Sequence, residues 1–432
     1  MSILKGLILA GLMAANIVWA ADDKPFKLKD GDKVVFYGDS ITDQRQYSVI
    51  VETFVATRYP HLDVSFVNSG WGGDSVSGGG GGTIDTRLKR DVFAYRPTVV
   101  TIMLGMNDGG YKAETEANDQ KFFDGYKHIV ESIRTNLPQA RIMAIEPSPY
   151  DDVTRPPAFP VASDVQYNEV MRSFGKWIAE YAQQPGVDVT DFNAVMVKTL
   201  LQARELDPEN AKQIISDHIH PSFGGHMILA ETLLKAWGAR PVVSAVIIDA
   251  SHAAPKVESA QFAAVSGLSK SGAISWTELD DALPLPFKQW VEMWGGGISV
   301  DLAIRSSDLT AALNQQILKV KGLRSGSYSL KIDGASVGAF NNDQLAAGVN
   351  LAVLKTPATD QAMKVYQLAN SHEEVHYDEL RNMEIPLADY ALPEAKAAKD
   401  SLIQLDQAVA KEMLQTAQPV PHKFELVPVP AE

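Results

Sequence analysis

Ser40, Asp217 and His220 are residues whose types and spacing could carry out nucleophilic acyl transfer. Ser40 lies in Gly38-Asp39-Ser40-Ile41, straight after the apolar run Val34-Val35-Phe36-Tyr37. A short strand ending in a serine places a hydroxyl where open α/β sheets bind ligands. A hydroxyl is a weak nucleophile until a neighbouring base takes its proton. His220 is a candidate base, because histidine is the side chain suited to proton exchange near neutral pH. Asp217, three residues earlier in Asp217-His218-Ile219-His220-Pro221, could hold the ring in one tautomer and stabilise the imidazolium. Pro221 is expected to open the helix that follows.

A tetrahedral intermediate also needs donors for its oxyanion, and losing one costs about 100 to 1000-fold in rate. Three candidates stand in order along the chain: the backbone N–H of Ser40, that of Gly73, and the side-chain amide of Asn107 in Gly105-Met106-Asn107-Asp108. A glycine without Cβ lets the chain approach a substrate closely. Each group has an ordinary structural explanation when taken alone. Asp217 and His220 could be a loop cap and a satisfied histidine, Gly72-Gly73 a turn, and Asn107-Asp108 a helix N-cap. None of these explains why the blocks follow successive strands of one sheet.

The elements that must position them are legible in the hydropathy pattern. Strands are expected at 34–37, 64–68, 98–103, 141–145 and 187–189. Helical segments are expected at 48–58, 83–90, 119–135 and 163–182, with a closing helix at 223–237. Continuous Val/Ile/Met runs separated by helices argue for a parallel sheet covered on both faces. The character changes at Gly238-Ala239-Arg240-Pro241. Short β-branched runs at 242–248, 262–265, 298–304, 317–320 and 328–332 suggest strands with antiparallel pairing. Helical pattern returns at 360–368 and 393–415, and the proline-rich residues 418–432 read as a loose tail. The predicted organisation is a catalytic domain over 30–240, an accessory domain over 241–417, and that tail.

Taken together these blocks resemble the SGNH hydrolases, also called the GDSL esterase family, over roughly residues 30–240. Gly38-Asp39-Ser40 resembles the nucleophile block, with Ile41 where the family name has leucine. Asn68-Ser69-Gly70-Trp71-Gly72-Gly73-Asp74 resembles the block carrying the oxyanion glycine, which falls on Gly73. Asn107 and the pair Asp217/His220 fall on the remaining two blocks. The resemblance implies a flavodoxin-like three-layer αβα sandwich with a parallel sheet, followed here by a smaller β-rich domain with C-terminal helices. It also implies ester hydrolysis without a metal or other cofactor.

Other strings are decoys or rims. Gly334-Ala335-Ser336-Val337-Gly338 matches a hydrolase elbow, but that elbow needs a strand–turn–helix setting and this string sits in a predicted hairpin. His218 lacks the three-residue spacing from Asp217, and His226 falls on the following helix. His218, His220 and His226 could form a ligand set in principle, but one of them is already used as the base. Gly78 to Gly82 extend the loop after Gly73 as a moving rim or a plain linker. Trp71 could stack on a substrate ring or pack under the glycine turn. Trp290 and Trp294 are spaced to form a core stripe.

Bulk properties bound the rest. The chain has 432 residues, too many for one typical core. It contains no cysteine, which excludes disulfides, a thiolate metal site and a cysteine nucleophile. A net charge of -14 disfavours contact with nucleic acid and with anionic membrane surfaces. Lys5, the apolar run 6–19 and Val18-Trp19-Ala20 read as a cleaved secretory signal over residues 1–20. Export to the periplasm or the outside is therefore expected, without stable membrane insertion. The function expected is hydrolysis of short acyl esters, O-acetyl groups of carbohydrates, through an acyl-enzyme. A lysophospholipase or short-chain lipase using the same residues is one alternative. A non-catalytic carbohydrate-binding or envelope-assembly protein is the other.

Overall fold

The computed structural model describes residues 25–293, 297–390 and 392–430. The expected signal segment and Trp294 lie outside the described residues. No helix among the described residues is long and apolar enough to cross a membrane.

The first part of the chain builds one parallel sheet. Its strands are β1 (Lys33–Gly38), β2 (Ser65–Gly70), β5 (Val99–Met103), β6 (Arg141–Glu146) and β7 (Val187–Asp191), in the order β2-β1-β5-β6-β7. Between β2 and β5 lies a two-rung ladder of β3 (Gly78–Gly79) and β4 (Gly82–Thr83). The central strand β5 is buried throughout, whereas the edge strand β7 is largely open. That contrast is why 98–103 reads as a continuous apolar run and 187–189 only faintly. The helices are α1 (Ser40–Asp43), α2 (Gln46–Arg58), α3 (Ile84–Asp91), α4 (Glu116–Asn136), α5 (Tyr167–Tyr181), α6 (Phe192–Leu206) and α7 (Phe223–Ala236). α2 packs on α7, while α4 lies between α3 and α5, giving helix, sheet and helix layers. The strand order reverses between β1 and β5, and ligands bind at such switch points.

α6 has no counterpart in the sequence expectations. Its signals are present: Asp191 caps it by accepting the Ala194 N–H, and Met196, Thr199, Leu200 and Ala203 are buried at helical spacing.

The later region corrects several expectations. Its strands are β8 (Val242–Asp249), β9 (Lys256–Gln261), β10 (Ala263–Ser271), β11 (Ala273–Asp280), β12 (Gln315–Lys321), β13 (Ser327–Ile332), β14 (Ala335–Asn341), β15 (Val349–Asn350) and β16 (His422–Pro428). They form two sheets, β10-β11-β16-β13-β14 and β15-β12-β8-β9. Pairing is antiparallel except between β8 and β12, which run parallel. The tail is not loose. Phe424 and Leu426 are buried, and β16 is the middle strand of its sheet. The prolines that suggested disorder stand before β16, at its last residue or after it, where a missing N–H does little harm.

The helices of this region are α8 (Phe287–Met293), α9 (Ile298–Arg305), α10 (Leu309–Leu313), α11 (Asn342–Ala347), α12 (Pro357–Tyr377), α13 (Ile385–Leu387) and α14 (Pro393–Thr416). α9 occupies the 298–304 run expected as a strand. It packs on α7, where an added Cβ on Gly224 would meet the Ser299 carbonyl at 2.2 Å. That close helix contact outweighs the β propensity of Ile298, Val300 and Ile304. Nor does the core divide at residue 240. Leu285, Trp290, Val300, Ala362, Val365 and Met413 belong to the same buried cluster as the parallel sheet. The later sheets enclose a second cluster containing Val246, Trp276, Leu318, Leu330 and Phe424. Helices α8, α9, α10, α12 and α14 are therefore part of the first body, whereas α11 buries Leu345 in the second cluster, between the strands of a separate β-sandwich.

An ion-pair cluster seals α12 to α2. Buried His372 lies 2.8 Å from Glu52 on α2 and 3.4 Å from Asp406 on α14. Burial alone would lower the His372 pKa, but pairing with Glu52 and Asp406 outweighs it and lifts the value to about 11. A folded value above the unfolded one of about 6.5 stabilises the fold fully below that pH and progressively less above it. Urea midpoints of the wild type and His372→Gln are therefore expected to differ most near pH 6 and to converge toward pH 10.

Candidate active site

Local structure carries Ser40 to the mouth of the sheet. β1 ends at Gly38, and Asp39 caps α1 by accepting the Ile41 N–H at 3.0 Å, so Ser40 is the first helical residue. β2 ends beside it, because Gly38 and Gly70 are register partners. An added Cβ on Gly70 would lie 2.1 Å from the Asp43 amide nitrogen. Only glycine permits α1 to sit that close to the end of β2.

His220 arrives from a loop 180 residues away. Its Nε2 lies 2.8 Å from Ser40 Oγ, and its Nδ1 lies 2.6 Å from Asp217 Oδ2. The other Asp217 oxygen accepts the backbone N–H of Ile219 at 2.9 Å and of His220 at 2.7 Å. One carboxylate thus shapes the loop and orients the ring. Burial pushes the Asp217 pKa up, but the hydrogen bonds from His220 and Ile219 outweigh it and hold it below the usual carboxylate range. Asp217 therefore stays ionised beside the imidazole, and such a chain can move a proton off Ser40. Pro221 does not open α7. It forms an isolated bridge with Ile215, and Ser222 takes the N-cap position.

Gly73 and Asn107 converge from the ends of β2 and β5. Gly73 has φ +77°, a conformation that favours glycine. Asn107 Nδ2 donates to the Asp74 carbonyl at 2.8 Å, and its Oδ1 accepts from the Tyr111 hydroxyl at 2.8 Å. These bonds fix which way the amide points, tie Asn107 to the Gly73 loop, and leave the second N–H of Nδ2 for a ligand.

The sequence reading missed the layer beneath. Buried Arg87 donates to Asp74 at 2.6 Å and to the Ser69 carbonyl at 2.7 Å, stapling both ends of the Gly70–Gly73 loop. It also pairs with Asp91. Asp39 and Asp108 sit in this layer too. Burial raises the carboxyl pKa of each to about 7, despite hydrogen bonds from Ile41 and Val76. The acidic residue of Asn107-Asp108 was the available clue.

The competing residues are engaged elsewhere. His218 has φ +72°, which turns its ring away; its Nδ1 meets the Asp151 carbonyl at 2.6 Å and its Nε2 meets Arg155 at 2.9 Å. His226 is buried against Tyr47 and pairs with Gln44 at 2.7 Å. Ser336 lies on β14 of a hairpin. Trp71 is half-buried, with the Arg381 guanidinium 3.3 Å from its ring centroid. The Gly78–Gly82 segment lies against it, and an added Cβ on Gly81 would meet the indole at 2.5 Å. Among the described residues no group of three His, Asp or Glu side chains is placed to hold a metal ion.

Residues 36–228 match the GDSL-like Lipase/Acylhydrolase family. This region is a GDSL hydrolase domain. An acetylxylan esterase from Geobacillus stearothermophilus is 26% identical over 234 residues, spanning 49% of this chain and 96% of that protein. A gut microbial diltiazem-metabolizing enzyme matches in structure with a TM-score of 0.80 and 27% identity, over 94% of this chain and 99% of its own. Its match therefore extends beyond the GDSL domain to the sandwich and C-terminal helices. A variant of Axe2, an acetyl-xylooligosaccharide esterase from Geobacillus, matches 50% of this chain and 99% of its own, with 24% identity and a TM-score of 0.39. The GDSL domain assignment supports acyl ester hydrolysis as the chemistry of this site.

Replacing Asn107 by Ala is expected to lower kcat on an acetyl ester by about 100 to 1000-fold with a smaller change in KM. Steady-state kinetics on the purified variant checks it.

Proposed function

We propose that this chain is a serine esterase that removes O-acetyl and other short acyl groups from carbohydrates through an acyl-enzyme. The observation that carries this reading is the unbroken hydrogen-bond chain Ser40–His220–Asp217 at the mouth of a GDSL domain. Ser40 Oγ attacks the ester carbonyl while His220 Nε2 takes the hydroxyl proton. The N–H groups of Ser40, Gly73 and Asn107 Nδ2 stabilise the oxyanion. His220 then protonates the leaving sugar alkoxide. Water, deprotonated by His220, attacks the acyl-Ser40 carbonyl, and the imidazolium returns that proton to Ser40 Oγ as the acyl–oxygen bond breaks and acetate leaves. Asp217 stabilises the imidazolium in both halves of the cycle. The residues in these roles form a complete set without a metal or an organic cofactor.

The carbohydrate preference rests on the acetylxylan esterase relative and on the acidic chain, which suits a neutral polymer better than a polyanion. Trp71, half-buried beside the Gly70–Gly73 loop, is the candidate sugar contact. Export rests on Lys5, the apolar run 6–19 and the small-residue motif ending at Ala20. A second reading, with a small-molecule ester as substrate in place of a polymer, draws support from the diltiazem-metabolizing enzyme only in that its name cites a small molecule and its match spans both parts of the chain.

Acetate release from a panel of acetylated polysaccharides and small acetyl esters is expected with the wild type and lost in Ser40→Ala. Turnover of small esters alone would favour the second reading. A strong preference for long-chain acyl esters would overturn both in favour of a lipase.

A further inference from the structure

The family match ends at residue 228, yet a residue more than a hundred positions later reaches the back of the site. α12 runs into a π-helical turn, Asp378–Glu384, which carries Arg381. π-turns of this kind are rare and often mark functional positions. Arg381 Nη1 donates to the Gly70 carbonyl at 3.2 Å, and Nη2 lies 3.6 Å from Asp43 Oδ2. The same Asp43 oxygen accepts the Gly72 N–H at 3.1 Å. The guanidinium is stacked on Trp71 at 3.3 Å, and the side chain is only 14% exposed. Three consecutive residues before Gly73 are thus gripped by one side chain: Gly70 directly, Trp71 by stacking, and Gly72 through Asp43. Asp43 is the last residue of α1, the helix that begins at Ser40.

A second arginine ties α1 to the same helix. Arg45 donates to the Asp43 carbonyl at 2.9 Å and to Glu374 at 3.0 Å, and stacks on Tyr377 at 4.2 Å. The nucleophile helix and the Gly73 loop are therefore both fastened to the C-terminal segment.

We propose that Arg381 is a positioning residue, by which the C-terminal segment holds the Gly70–Gly73 loop in register with Ser40 so that the Gly73 N–H meets the oxyanion. The inference rests on the roles given above to Ser40 and Gly73. It gives the region after the GDSL domain a part in the reaction without contact with the substrate. Arg381 acts through two backbone groups and an aspartate, so its loss displaces a donor that matters in the transition state and leaves ground-state binding little changed. A planar fork is needed to serve Gly70 and Asp43 at once while stacking on Trp71, and lysine supplies only a point charge.

The test compares full-length wild type, Ser40→Ala, Arg381→Ala and Arg381→Lys on one small acetyl ester, with circular dichroism and thermal unfolding as fold controls. Arg381→Ala is expected to lower kcat by about 100-fold, the scale of a small misplacement in an active site, with KM within about threefold. Arg381→Lys is expected to fall between it and the wild type. Millimolar guanidinium is expected to restore part of the Arg381→Ala rate and to leave the wild type unchanged. Should Arg381→Ala fail to fold, the folded Arg381→Lys decides: a reduced kcat supports the role and a full kcat overturns it. Activity lost in Ser40→Ala but retained in a folded Arg381→Ala would overturn the positioning role alone. Activity that survives Ser40→Ala would remove Ser40 as the nucleophile, and the positioning role with it.

Discussion

Everything at this site depends on a 2.8 Å contact between the Ser40 hydroxyl and His220 Nε2. A serine oxygen becomes a useful nucleophile only when a base sits within hydrogen-bond reach of its proton. The two residues come from opposite ends of the GDSL domain, so a whole sheet must be built to bring them together. β1 delivers Ser40, and the loop before α7 delivers His220. α2 and α7, the helices that follow these two segments, pack on each other on one face of the sheet. Small shifts in that packing would lengthen the contact, and proton transfer falls away steeply once the hydrogen bond is lost.

The second constraint is the fixing of backbone N–H groups. Gly73 has no side chain through which it could be held. The chain on either side of it must therefore be clamped, by Arg87 at Ser69 and Asp74 and by Arg381 at Gly70 and Asp43. Two arginines beside one short loop, Arg87 buried and Arg381 half-buried, are costly to desolvate. Here their charges are met by Asp74, Asp91 and Asp43, and their planar faces lie near Trp71. In the proposed mechanism, fixed donors of this kind need no reorganisation as charge develops on the oxyanion.

The sequence was most legible where chemistry and conformation are local. Ser40, Gly73, Asn107 and the Asp217–His220 pair each stand within a few residues of a strand end or turn that can be read from pattern alone. The same holds for β1, β5 and β6, whose apolar runs reflect helices on both faces. It was least legible where distant segments decide the outcome. The 298–304 run has β-branched residues but becomes a helix because α7 offers it a glycine surface. The tail becomes the middle of a sheet because β11 and β13 are both open to it. Arg381 had no signal at all: one arginine in a helical stretch looks like a solvated charge until the fold lays it on Trp71. The division at residue 240 marks a change in pattern but not a break in the core.

The most direct measurement is covalent trapping of the nucleophile. The purified protein is treated with a serine-directed sulfonyl fluoride and digested, and the modified peptide is identified by mass spectrometry while residual acetyl-ester turnover is followed. The expected result is one adduct, on Ser40, appearing at the rate at which activity is lost. Full loss of activity with the label on a different serine, or full activity in protein labelled at Ser40, would contradict the account.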